Sequence, residues 1–108
     1  MNTVVLVGKL YEEPIMLENQ NGVKYAKLKL AVTRNYKNAE GVYETDFIDI
    51  KTYLPMAQNV TEWCSKGDTL GIKGRVQTSQ EDNNLIEIIA EKVTFLTNNP
   101  KAPKKEEE

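Results

Sequence analysis

The sequence has no histidine and a single cysteine. The first absence removes Ser-His-Asp and Cys-His catalysis and His-ligated zinc, and the second removes any intrachain disulfide. A lone thiol fits an intracellular protein better than a secreted one. Long hydrophobic runs are also missing. Stretches such as Val4-Val5-Leu6-Val7 fall far short of the ~20 apolar residues that a membrane-spanning helix needs. The opening Met1-Asn2-Thr3-Val4 carries no basic segment of the kind that begins a signal peptide. Neither sign of charge dominates: 14 Lys and Arg against 16 Asp and Glu leave a net charge of −2, with a pI near 5.3. A polybasic coat is thereby excluded for the protein as a whole, but a local basic face is not. Aromatic residues make up only 7% of the chain, so their positions carry most of the functional information.

What is present describes one soluble domain. At 108 residues the chain is long enough to bury a single core without a metal or disulfide. Thr3 to Leu10 is β-branched and apolar and predicts a first strand, which Ile15-Met16-Leu17 extends beyond the break at Glu13-Pro14. Asn19 to Gly22 is a turn. From Val23 to Thr33 the residues alternate: Ala26, Leu28, Leu30 and Val32 face one way, and Tyr25, Lys27, Lys29 and Thr33 the other. Asn35 to Tyr43 reads as a polar loop or hairpin tip. Phe47 to Tyr53 alternates again, with Ile48, Ile50 and Thr52 inward and Phe47, Asp49, Lys51 and Tyr53 outward. Pro55 opens a short helix carrying Ala57, Val60, Trp63 and Cys64 at helical spacing, and Gly67 is its expected stop. Thr69 to Thr78 is a fourth strand, and its internal Gly71 and Gly74 predict a bend. A turn at Glu81 to Asn84 leads to a fifth strand, Leu85 to Ala90, and a short closing strand, Val93 to Leu96. Residues 98–108 have no large apolar side chain and are expected to be a disordered charged tail. The domain is therefore 1–97, all-β, with one short helix between strands three and four: a five-stranded Greek-key barrel of the OB-fold kind.

The outward faces carry the functional signal. Phe47, Lys51 and Tyr53 share one side of a strand, Tyr25, Lys27 and Lys29 one side of the strand before it, and Lys73 and Arg75 one side of the fourth. Arg34, Tyr36 and Lys37 lie on the connecting loop. Rings interleaved with cations suit single-stranded nucleic acid, whose bases stack for ~1–3 kcal/mol each while cations neutralise phosphates. The same residues also have a plainer reading, as rim cover, cross-strand pairs and a solvated lysine face. Asp46 and Asp49 read as neutralised surface charge rather than a metal or catalytic pair. Gly8, Gly71 and Gly74 lack the Gly-Lys-Ser/Thr element of a phosphate loop.

The order of the segments adds a resemblance. Met1 to Leu10 with Glu13-Pro14, Leu30-Ala31-Val32-Thr33-Arg34-Asn35-Tyr36-Lys37-Asn38, Thr45-Asp46-Phe47-Ile48-Asp49, Ala57-Gln58-Asn59-Val60, Lys66-Gly67-Asp68 and Gly74-Arg75-Val76-Gln77-Thr78 together resemble the bacterial and phage single-stranded DNA-binding protein family over residues 1–97. The resemblance implies an OB barrel that binds single-stranded DNA in replication, repair or recombination. It further implies a cytoplasmic, nucleoid-associated homotetramer built from strand-one dimers, with a dimer as the alternative. No enzyme activity, cofactor, metal or membrane partner is expected. By position the family's stacking rings fall on Tyr36, Phe47 and Tyr53. The cations expected along the strand are Arg34, Lys51 and Arg75, joined by Lys37 of the same loop as Tyr36, with Lys73, Lys27 and Lys29 as weaker DNA-binding candidates. Three features depart from the family. Its frequent Trp is replaced here by Tyr and Phe, the hairpin from Ser79 to Asn84 is short and acidic, and the chain ends at Glu108 without the acidic Pro-Phe tip that recruits replication enzymes. Trp63, by its helical spacing, is assigned to packing α-helix against barrel, and Cys64 to the core. The other reading in view is an OB-type protein-interaction or primosome-assembly module with weak DNA binding.

Overall fold

The computed structural model describes residues 1–96; the expected tail lies outside the described residues. Six strands and one helix follow in the order β1 (Val4–Leu10), β2 (Ile15–Glu18), β3 (Lys24–Lys37), β4 (Tyr43–Tyr53), α1 (Met56–Trp63), β5 (Thr69–Thr78) and β6 (Ile86–Phe95). The strands lie in the order β1-β5-β6-β4-β3-β2. β1 then returns to β3 through Lys9↔Ala31 and Leu10↔Leu30, which closes five strands into a barrel and leaves β2 as an extra strand on β3. All pairings are antiparallel except the short parallel join of β4 to β6 at Ile50↔Ile88 and Lys51↔Ile89. This is the OB arrangement read from the sequence.

Period-two patterning fills the interior. Leu28 and Leu30 on β3, Ile50 on β4, Leu70 and Ile72 on β5 and Leu10 on β1 are all buried, and α1 adds Val60, followed by Cys64. Each such aliphatic side chain contributes about 1.5–3 kcal/mol on leaving water. The one buried hydroxyl among them, on Thr52, donates to the carbonyl of Ala90 at 3.2 Å, so it carries no unmet desolvation cost.

Closure brings backbones together where two glycines stand. A Cβ on Gly8 would overlap the Ala31 carbonyl, where β1 leaves β5 for β3. A Cβ on Gly74 would overlap the Ile89 carbonyl beside the register shift between β5 and β6. The expected bend at Gly74 is therefore a bulge: Lys73 pairs with Lys92 and Gly74 with Ala90, leaving Glu91 as the extra residue.

Ile15 to Leu17 extend the line of β1 beyond the break at Glu13-Pro14, as expected: β2 runs on in the same direction along the same edge of β3, antiparallel to it. Elsewhere the expectations are revised. Of the two readings of 35–43, loop or hairpin tip, the structure has the hairpin tip, shorter than expected because β3 runs to Lys37 and β4 begins at Tyr43. Only 38–42 turns, where the Asn38 side chain accepts from the backbone N–H groups of Glu40 and Val42. The last two expected strands are one, β6, bent at the bulge. Helix α1 ends at Trp63, before Gly67; that glycine, with φ +96, serves the turn into β5 instead. Trp63 is not buried between the helix and the barrel. It stands 43% exposed, and the buried contacts of α1 come from Ala57 and Val60.

Candidate nucleic-acid interface

The outer face of β3 and β4 is built by register. Tyr25 sits opposite Tyr53, Lys27 opposite Lys51, Lys29 opposite Asp49 and Ala31 opposite Phe47. The rings of Tyr25 and Tyr53 are 6.1 Å apart. Phe47 is 64% exposed and meets the edge of Tyr11 at 4.9 Å. Six residue steps separate Phe47 from Tyr53, about 20 Å at ~3.3 Å per residue. The Lys51 ammonium lies between these ends, 4.9 Å from the Tyr25 ring centre, in cation–π range. Beside it opens a cleft of about 290 Å³ lined by Tyr25, Lys51, Tyr53, Glu87, the turn residues Asn19 to Asn21 and the hairpin residues Ser79 to Glu81. Rings at both ends of a solvent-facing strip, with a cation between them, can seat stacked bases.

Tyr11 and Tyr25 were not among the site residues read from the sequence. Tyr25 shares parity with Lys27 and Lys29, which was visible. Tyr11 follows β1 outside any alternation, and only the bond from its N–H to the Lys29 carbonyl at 3.0 Å brings it onto this face.

The sequence-predicted residues do not all meet. Phe47, Lys51 and Tyr53 do. Arg34 is on the other side of the β3–β4 arm, because it shares parity with Val32 and not with Thr33. There its guanidinium donates to both carboxylate oxygens of Asp46, at 2.9 Å and 3.1 Å for the shortest bonds, and to Glu44 at 2.7 Å. Tyr36, exposed, lies within electrostatic reach of Arg34. Lys37 sits opposite Tyr43 at the arm's tip, with its ammonium 5.7 Å from that ring. Lys73 pairs with Val5 and Lys92 on the β1–β5–β6 wall, away from the aromatic strip. Arg75 reaches the strip only at its border, opposite Ile89, whose other neighbour is Lys51.

Five of the seven cations expected to be open to phosphate, all but Lys37 and Lys73, already lie against carboxylates. Besides Arg34, Lys51 bonds Glu87 at 2.9 Å, Arg75 bonds Glu91 at 2.8 Å, and Lys27 and Lys29 lie 3.8 Å from Asp49 and Glu12. Burial pulls the Lys51 ammonium down, but the hydrogen bond and charge of Glu87, helped by Tyr25 and Tyr53, outweigh it and hold Lys51 above its ordinary value. Asp46 is held below the usual carboxylate range, first by its hydrogen bond from Arg34 and against a smaller opposing effect of burial. A depressed carboxylate contributes fully above its unfolded pKa and loses that contribution as pH falls through the folded value. The Arg34–Asp46 clamp on the arm should therefore persist through the ordinary carboxylate range and open only at pH below it. The Asp46 carboxyl ¹³C shift, followed by NMR, checks this; a midpoint at or above the ordinary carboxylate value would refute the clamp.

Among the described residues no group of three or more His, Cys, Asp or Glu is placed to hold a metal ion, and no helix is long and apolar enough to cross a membrane.

Comparison with known proteins fits this geometry. Residues 1–96 match the single-strand binding protein family. The chain is 38% identical over 102 residues to single-stranded DNA-binding protein 1 of Staphylococcus aureus strain Mu50, covering 89% of this chain and 65% of that protein. It is 40% identical over 102 residues to the single-stranded DNA-binding protein of Halalkalibacterium halodurans, covering 89% of this chain and 61% of that one. Against single-stranded DNA-binding protein 2 of S. aureus strain COL it is 38% identical, and the match covers 73% of that protein. The chain thus spans under two thirds of the length of the first two relatives. The wild-type single-stranded DNA-binding protein of Thermus aquaticus superposes with a TM-score of 0.70 at 20% identity, over 92% of this chain and 52% of that one, which is a likeness of fold.

Proposed function

The chain belongs to the single-strand binding protein family, and from that premise we propose that it coats single-stranded DNA with little regard to sequence. The reading rests on one observation: Tyr25, Tyr53, Phe47 and Tyr11 share a solvent-facing strip on β3 and β4 with Lys51 between them. Every base has a π-face, so stacking is tolerant of sequence, and a base held on a ring is withdrawn from re-pairing. Proteins of this family bind rather than catalyse. Coating of this kind serves replication, repair and recombination in the cytoplasm, where an exposed strand needs protection from nucleases. Residues 1–97 are the binding domain.

The protein works as a homo-oligomer in this proposal, a tetramer assembled through β1. Val5 and Val7 project from β1 at 69% and 55% exposure. β1 pairs with β3 only at Lys9 and Leu10, so its Val4-to-Gly8 edge on that side has no strand partner among the described residues. An apolar strand with an open edge is suited to pair with a second copy of itself.

Tyrosine fluorescence titrated with oligo-dT of increasing length, with duplex of equal length in parallel, tests the reading. Quenching should strengthen with length until one protomer's strip is filled, duplex should bind at least ~10-fold more weakly, and solution mass should be four times 12.3 kDa. Equal affinity for duplex would reduce the mechanism to charge alone. Absence of length dependence would favour a protein-interaction module.

A further inference from the structure

Lys51 on the strip and Arg75 at its border are joined by one polar chain across three strands. Arg75 bonds Glu91 at 2.8 Å and its Nε donates to the Gln77 side-chain oxygen Oε1 at 3.2 Å; Gln77 Nε2 donates to Glu87 at 3.0 Å; Glu87 accepts from Lys51 at 2.9 Å. Glu87 is the best shielded of the four charged members, its side chain only 14% exposed against 30% for Lys51. Its two carboxylate oxygens are engaged separately, Oε1 by Gln77 and Oε2 by Lys51. Gln77 therefore fixes Glu87 from the side away from the DNA strip. Glu87 also lines the cleft that Tyr25 and Tyr53 wall, so an anion entering the cleft meets a carboxylate already bound to the cation it would seek.

We infer that Glu87 is a specificity-determining residue: a built-in competitor for phosphate at Lys51, held in place by Gln77, that makes binding depend on stacked bases. The Lys51–Glu87 pair carries no net charge. A phosphate seated there must displace Glu87 or share Lys51 with it, and two anions around one cation repel. Exchange of one anion for another gains little. A polyanion that offers phosphate or sulfate alone, such as duplex DNA or heparin, thus gains almost nothing at this position. A single strand also places a base against Tyr25 or Tyr53, and that contact carries the exchange. This inference rests on the proposed single-strand binding and adds the source of its selectivity.

The test uses the full chain and its Glu87→Gln variant against oligo-dT, duplex of equal length and heparin, over a range of salt. In Glu87→Gln the affinity for oligo-dT should rise about 3-fold and that for duplex and heparin ~10-fold or more, so selectivity narrows. The log–log salt slope for oligo-dT should steepen by about 0.7, the contribution of one further neutralised phosphate on a single strand. Lys51→Gln added to Glu87→Gln should cancel the gain. Gln77→Ala, which leaves every charge in place and loosens the anchor, should shift selectivity the same way by ~2-fold, and it carries the test if Glu87→Gln does not fold. Unchanged selectivity and slope in these variants, or weaker binding to all three probes, overturns the inference while leaving single-strand binding intact. Failure of the unaltered protein to prefer oligo-dT over duplex overturns the proposed function itself.

Discussion

Replacing both Phe47 and Tyr53 by alanine should lower the affinity for oligo-dT by roughly 30-fold to 2 × 10⁴-fold, about 2–6 kcal/mol for two lost stacking platforms. Both rings stand on the outward parity of β4, apart from the buried Ile50 and Thr52. Their removal takes away no core contact, so Tm should fall by only about 2–12 °C. Phe47 touches Tyr11 edge-on, and that pair accounts for about 0.5–1.5 kcal/mol of the expected stability change. Fluorescence titration and a melting curve on the same sample separate the two effects. Binding lost together with a large fall in Tm would place the rings in the fold and remove them from the site.

Gly74→Val should be the most damaging single change to stability. The position is buried on β5, and any side chain there is driven into the Ile89 carbonyl and the Ala90 backbone. The obstructing atoms are main chain at the bulge that bends β6, so no rotamer change relieves the overlap. A loss of roughly 3 kcal/mol or more is expected, a fall in Tm on the order of 12–24 °C for a domain of this size. The β5–β6 ladder that carries Arg75, Gln77 and Glu87 should open with it. An unchanged melting curve would mean that the two strands are not held this close.

Most of the barrel was legible in the sequence because strand parity is a local property. Ala26, Leu28 and Leu30, and again Ile50 and Thr52, alternate over a few residues, and all of them are buried. The same parity put Phe47, Lys51 and Tyr53 on one face. It failed where the pairing is not regular. Between Thr33 and Lys37 the β3–β4 register shifts, and residues 34–37, read as loop in sequence, belong to β3, where the parity of Val32 carries Arg34 to the face opposite Phe47. A bulge at Glu91 likewise made one strand read as two. Trp63 kept the helical spacing of a packing residue, yet the helix is already seated by smaller side chains.

Charge pairing was illegible for a different reason. Lys51 meets Glu87 and Arg75 meets Glu91 across strands distant in the chain, and Arg34 meets Asp46 across the arm. A count of lysines and arginines cannot tell an open cation from one already neutralised, since that depends on which strands become neighbours. The sequence alone determined the all-β character, the inward and outward faces of each strand and the presence of rings among cations. Only the tertiary structure decided which rings share a surface and which cations are held by carboxylates, because both follow from barrel closure, which joins residues by register and not by distance along the chain.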